Sequence, residues 1–145
     1  MGNQHPSITP YQPLLAADKM LICAVGTERL WGKFVEILGV ADTIGVDARF
    51  STNANRNDNR DVLIPLIEDI LKTRDADEWV EKLVAAGIPA GPINYPRDSL
   101  TDPHFISRGM VVELEHPSAG MIKSIGCPIM MSKSCLLYTS PSPRD

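Results

Sequence analysis

The sequence predicts an α+β domain of short antiparallel strands and three main helices. Apolar residues recur at helical spacing in three separate stretches, two other segments run apolar or alternate over strand-like lengths, and Gly, Pro, Asn and Asp cluster between them. No stretch repeats another. The count expected is three or four strands.

Asp18 to Val25 (DKMLICAV) is an apolar run ended by Gly26, which suits a buried strand. Thr27 is placed to cap a helix in which Leu30, Trp31, Phe34, Val35 and Leu38 share one side, and Gly39 supplies its stop. Residues 42–60 (DTIGVDARFSTNANRNDNR) are rich in Asn, Asp and Arg and predict a solvated connection made of turns. Helix resumes near Asn59 with Leu63, Leu66, Ile67, Ile70 and Leu71 as its stripe; Pro65, within the first two turns, either starts the regular helix or kinks it. Asp75 and Glu78 have the spacing of a capping box for a third helix carrying Trp79, Val80, Leu83 and Val84, which Gly87 and Pro89 end. Residues 90–94 (AGPIN) are expected to be extended, with the surrounding AAGIPAGPI acting as a rigid connector. Asp102-Pro103 opens a short helix to Arg108. MVVELE, the turn HPSAG and MIKSIG then alternate as a β-hairpin.

Composition excludes several functions. With 145 residues, 43% apolar and 22% charged, the chain has the balance of one domain with a core. A net charge of −4 and no Lys/Arg cluster speak against nucleic acid as a partner. No apolar run approaches the length that crosses a bilayer and no leader pattern opens the chain, so the expectation is a cytoplasmic protein without a membrane partner. Cys23, Cys127 and Cys135 lack C-x-x-C spacing, and His5, His104 and His116 stand apart without a paired ligand, so no metal site is expected. There is no G-x-S-x-G elbow and no G-x-G-x-x-G after a strand.

The opening residues, GNQHPSITPY, remain unusual. Pro6 and Pro10 stiffen a segment carrying amides, an imidazole and a phenol, while Gly2 permits backbone shapes closed to other residues. Composition leaves two readings open, the wall of a pocket or an unstructured lead-in.

Five stretches, in this order, resemble the class III CoA-transferases of the CaiB/BaiF type: GNQHPSITPY; DKMLICAVGTERLWGKFVEILG; the run Arg49, Phe50, Asn53, Arg56, Asn59, Arg60; DEWVEKLVAAGIPAGPIN; and DPHFISRGMVVELEHPSAGMIKSIGCPIMMS. That family includes formyl-CoA:oxalate and carnitine CoA-transferases and shares its fold with α-methylacyl-CoA racemases. The resemblance implies a fragment: residues 1–17 as active-site loop and linker, and residues 18–134 as the small α+β domain with the start of a return connection. It implies coenzyme A as co-substrate with no permanently bound cofactor, an acyl-CoA and a carboxylic acid acceptor as partners, and a homodimer of interlocked chains. An aspartate upstream of Met1 would be the nucleophile, passing through a mixed anhydride and an enzyme-bound thioester, so no residue of this chain is expected to be catalytic and the chain alone should be inactive. Gly2, Asn3, His5, Pro6 and Tyr11 would line the site as a loop that keeps water from those intermediates. His5 and Tyr11 would exchange hydrogen bonds, not act as nucleophiles. The family's usual Asp-Gly after the loop is Asp18-Lys19 here, which puts the turn there in question.

Two rival readings are a racemase of the same fold, which would move a proton beside the thioester carbonyl, and a non-catalytic interaction module. The GN-x-HP pattern resembles the transferase branch. Residues 135–145 (CLLYTSPSPRD) break in character from all before them and resemble the translation of a transposase adapter used in sequencing libraries, so they are expected to be non-native.

Overall fold

A computed structural model describes residues 2–129, which places the reading of residues 135–145 outside the described part. The chain divides after Ile93 into two compact units. Among the described residues no helix is long and apolar enough to cross a membrane.

The first unit is built on a three-stranded antiparallel sheet, β1 (Tyr11–Leu15), β2 (Met20–Ala24) and β3 (Ala90–Pro92), in that order across the sheet. Leu14 pairs with Leu21, and Gln12 with Cys23, so Leu14, Leu21 and Cys23 share the buried face. Against that face pack α1 (Glu28–Ile37), α3 (Arg60–Leu71) and α4 (Ala76–Ala85), with a short helix α2 (Asn53–Asp58) leading into α3. Most of each predicted stripe is buried, Trp31, Phe34 and Val35; Leu63, Ile67 and Leu71; Trp79 and Leu83, but Leu66 and Val84, expected in the stripes of α3 and α4, are exposed. The Trp79 indole donates to the Leu71 carbonyl at 2.8 Å, tying α4 to the end of α3. Pro65 is exposed and α3 runs through it unbroken.

Helix ends follow the sequence closely. Thr27 is extended and its hydroxyl accepts the Leu30 amide. Gly39 and Gly87 both take left-handed φ values, 72° and 79°, and the amides around each fold back in the paired pattern that closes a helix C-terminus: Gly39 to Glu36 and Val40 to Val35, Gly87 to Val84 and Ile88 to Leu83.

Four expectations are corrected. Residues 11–15 form a strand where a linker was expected. Residues 90–92 are not a mere connector but the third strand, paired to β2. Asp75 makes no capping bond; the Ala76 amide is accepted by Asp18 Oδ1 at 2.8 Å, 58 residues away. That bond holds the Asp18 carboxyl below its usual value, and the turn closes with Lys19 outside the left-handed region, so the missing glycine is not needed. Finally, residues 42–60 are solvated over most of their length and rich in bonds between side chains and backbone, as expected, but they are not all turn: besides two short 3₁₀ turns they form α2, and they bury Phe50 and Arg56.

The second unit contains α5 (Pro96–Ser99), α6 (Pro103–Ser107) and a hairpin of β4 (Val111–His116) with β5 (Gly120–Ile125). Asp102 caps α6 as the sequence predicts, accepting the His104 and Phe105 amides. The hairpin register runs from Val111–Ile125 to His116–Gly120, and Gly120 supplies the left-handed residue of its turn.

Candidate functional site

The opening loop is held in place by polar side chains from the segment that looked solvated. Asn53, Arg56, Asn57 and Arg60 stand three, four and seven residues apart, which brings them to one side of α2 and the first residue of α3. Each reaches the loop. Asn53 accepts the Thr9 amide at 3.1 Å and donates to the Ser7 carbonyl at 2.7 Å. Asn57 donates to the Pro6 carbonyl at 3.2 Å and accepts the Thr9 hydroxyl at 2.8 Å. Arg60 donates to the carbonyls of His5 at 2.7 Å and Ile8 at 3.2 Å, to the Thr9 hydroxyl at 2.9 Å, and to Asn57 Oδ1.

Arg56 is the buried member, with no solvent exposure. Its Nε donates to the Thr9 carbonyl at 2.9 Å, and its Nη1 donates to the Phe50 carbonyl and to Glu28 Oε2. The guanidinium also lies over the Trp31 ring, 4.6 Å from its centroid. Burying a cation is tolerable only where partners of this kind surround it. The arginine beside Glu28 holds that carboxyl below its usual value, with the Asn53 amide adding to the effect and partial burial opposing it.

The loop therefore has one defined path, with Thr9 fully buried and the Pro10 carbonyl accepting the Val25 amide. The backbone amide of His5 donates to the Tyr11 carbonyl at 2.9 Å, and the two rings stack nearly parallel, 5.2 Å between centroids with 7° between planes. His5 Nδ1 accepts the Ser7 amide at 3.2 Å. Tyr11, the first residue of β1, borders an open apolar hollow of about 290 Å³ with Ile22, Ala24, Pro89, Ala90 and Gly91. Cys23, its neighbour on β2, is turned into the core, where burial pushes the thiol up to about 12.

Of the residues singled out from sequence, His5 and Tyr11 are brought into contact, while Pro6 borders a separate polar hollow with Gln4, Asn57 and Arg60. Gly2 and Asn3 border another hollow, with Gln4, Gln12, Pro13 and Met20. A Cβ on Gly2 would meet nothing within 4 Å, so close packing does not demand a glycine there. Sequence reasoning did not identify Thr9, Asn57 and Glu28 as parts of the site, nor what Asn53, Arg56 and Arg60 hold. The signal was present as helical spacing of polar residues.

The chain spans about a third of the length of the relatives it matches. It is 33% identical over 144 residues to a succinate–glutarate CoA-transferase of Agrobacterium fabrum, covering 99% of this chain and 36% of that protein. It is 28% identical over 142 residues to the human succinyl-CoA:glutarate CoA-transferase, covering 98% and 32%. It is 27% identical to an acetyl-CoA:oxalate CoA-transferase of Acetobacter aceti, covering 91% and 32%. Among solved structures, a CaiB/BaiF family protein from Brucella suis superposes with a TM-score of 0.81 at 36% identity, over 92% of this chain and 34% of that one. The structure of Rv3272 from Mycobacterium tuberculosis, at 23% identity and a TM-score of 0.71 over 91% and 37%, shares the fold. The profile described as CoA-transferase family III matches residues 1–145. An α+β unit presenting this clamped loop, with the whole length covered by the family profile, thus belongs to CoA-transferase family III.

Proposed function

We propose that this chain is the part of an acyl-CoA:carboxylate CoA-transferase that forms the wall of the acyl site, and that the nucleophilic aspartate is supplied by polypeptide outside these 145 residues. The observation that carries the reading is the opening loop, whose path is set by four side chains and which presents a stacked imidazole and phenol beside an apolar hollow. The family and the coverage of its relatives, about a third of each, support the rest.

In this reading an aspartate oxygen attacks the thioester carbonyl, the C–S bond breaks, and CoA leaves as thiolate. The thiolate then attacks the aspartyl carbonyl of the mixed anhydride, releasing the first carboxylate and leaving an aspartyl-CoA thioester. The acceptor carboxylate attacks that thioester and the exchange runs in reverse. Both intermediates hydrolyse readily, so a fixed wall that keeps water away protects transfer. His5 and Tyr11 would contribute hydrogen bonds to the bound acyl or carboxylate group, with Pro6, Gly2 and Asn3, which border other hollows, shaping the loop without touching that group. The working enzyme would be a homodimer in the cytoplasm.

The test is to assay this chain alone and joined to the polypeptide encoded ahead of it in its own gene. CoA transfer would be followed from succinyl-CoA or acetyl-CoA to glutarate or oxalate, the substrates in the names of its relatives. Transfer is expected only from the joined protein. Turnover by this chain alone would refute the missing nucleophile, and solvent deuterium entering beside the thioester carbonyl without transfer would replace the reading with racemisation.

A further inference from the structure

We infer that Arg60 is a positioning residue that fixes His5 as an oriented Nε2–H donor at the acyl site. The inference rests on the proposed function for what the donor meets, and on geometry alone for how it is held. Arg60 grips the loop at three places, the His5 carbonyl, the Ile8 carbonyl and the Thr9 hydroxyl, and its remaining bond goes to Asn57, which itself holds Pro6 and Thr9. Nε meets the Thr9 hydroxyl while the two protons of Nη2 are shared among the His5 and Ile8 carbonyls and Asn57 Oδ1, so one edge of the planar guanidinium spans the loop where an ammonium offers a single point. The His5 backbone is thus held through its carbonyl by Arg60 and through its amide by the Tyr11 carbonyl.

The ring follows from the backbone. It stacks on Tyr11, and Nδ1 accepts the Ser7 amide. A nitrogen that accepts a backbone N–H carries no proton in the neutral imidazole, so the proton resides on Nε2. Among the described residues nothing hydrogen-bonds to Nε2, which leaves it to donate outward. Arg56 differs in kind: it is wholly buried and grips the loop only at Thr9, so it belongs to the core as much as to the loop. Arg60 is only partly buried and is replaceable without opening the core.

The test is 15N NMR of the histidine side chains in the full 145-residue chain, comparing wild type with Arg60→Ala and Arg60→Lys. His116 is an internal control, because its Nδ1 also accepts backbone amides, from Ser118 and Ala119, within the hairpin of the second unit. In wild type His5 should show an unprotonated Nδ1 and a protonated Nε2, with ring-current shifts from Tyr11. Arg60→Ala should average the two tautomers, abolish those shifts and speed exchange of the His5 amide about tenfold, the loss expected when a charge-assisted bond no longer opposes local opening. The His116 pattern and the Trp79 indole resonance should stay in place, and Arg60→Lys should fall between. An unmoved His5 pattern in Arg60→Ala overturns the inference, as does tautomer averaging in wild type. If Arg60→Ala also loses the Trp79 signal, Arg60→Lys decides, and an unmoved His5 there overturns it. A failed signature in a protein whose joined form still transfers CoA sinks this inference only, whereas an intact signature without transfer sinks the proposed function only.

Discussion

Replacing Arg56 should come close to unfolding the first unit. Its guanidinium makes two buried bonds to main-chain carbonyls, Thr9 and Phe50, and one to Glu28, whose side chain is 54% exposed. A hydrogen bond from a charged donor contributes roughly 1.5–3 kcal/mol, so the two buried bonds together amount to about 3–6 kcal/mol. Glu28 rehydrates once its partner is gone and adds little. Removing a buried cation also removes its desolvation penalty, and no buried charge is left behind, so the net cost falls toward the lower end of that range, about 3 kcal/mol. A unit ending at Ile93 has a total stability of roughly 5–14 kcal/mol at the usual value per residue. Arg56→Ala should therefore leave a marginal fold, and Arg56→Lys, which keeps the charge but loses the fork, should fall between it and wild type. Urea titration followed by tryptophan fluorescence reads this directly, since Trp31 and Trp79 are both buried in the unit. A loss below about 1 kcal/mol for Arg56→Ala, against the range above, would refute the argument that this arginine organises the core beneath the loop.

Three further outcomes follow from neighbouring groups. Glu28 has a folded value depressed below 4.5 by Arg56, so its contribution is fully present above the unfolded value and is lost as pH falls through the folded one; urea midpoints measured from about pH 6 down to about pH 3 should drop less steeply in Glu28→Gln than in wild type. Asp18→Ala should cost about 0.5–2 kcal/mol, the usual effect of losing an N-terminal helix acceptor, because Asp18 caps α4 at Ala76; the reading fails if Asp75→Ala is the more damaging of the two in the same titration. Cys23, fully buried with its thiol pushed up to about 12, should resist iodoacetamide at about pH 8 while the chain is folded and react once it is unfolded, and mass spectrometry of the labelled peptides distinguishes it from Cys127.

Much of the first unit was legible because local signals matched the final packing. The stripes of α1, α3 and α4 and the glycine stops at Gly39 and Gly87 are short-range features, and the structure uses them as the spacing predicts apart from Leu66 and Val84, which sit at the exposed margins of α3 and α4. Strand β1 was not legible because its YQPLL run contains Pro13, which argues against an interior strand; β1 is at the edge of the sheet, where a proline is tolerated. The helical part of residues 42–60 was missed for a different reason. Its Asn and Arg side chains look destined for water, and their partners lie 44 to 55 residues earlier in the loop. Polar satisfaction at that distance leaves no local trace except the spacing of Asn53, Arg56, Asn57 and Arg60. The same long reach explains Asp18, whose capping role belongs to a helix that begins at Ala76.

The pairing of loop and helix has a consequence for anyone who would alter substrate choice by exchange of parts. Asn57 uses its amide nitrogen on Pro6 and its oxygen on Thr9 and Arg60, so each half of that side chain is committed to a different neighbour. A loop transplanted from a relative would arrive without the carbonyl positions those side chains were set to meet. Residues 2–11 and 53–60 are therefore one module written in two places, and a chimera that swaps both together should keep its shape where a swap of either alone would not.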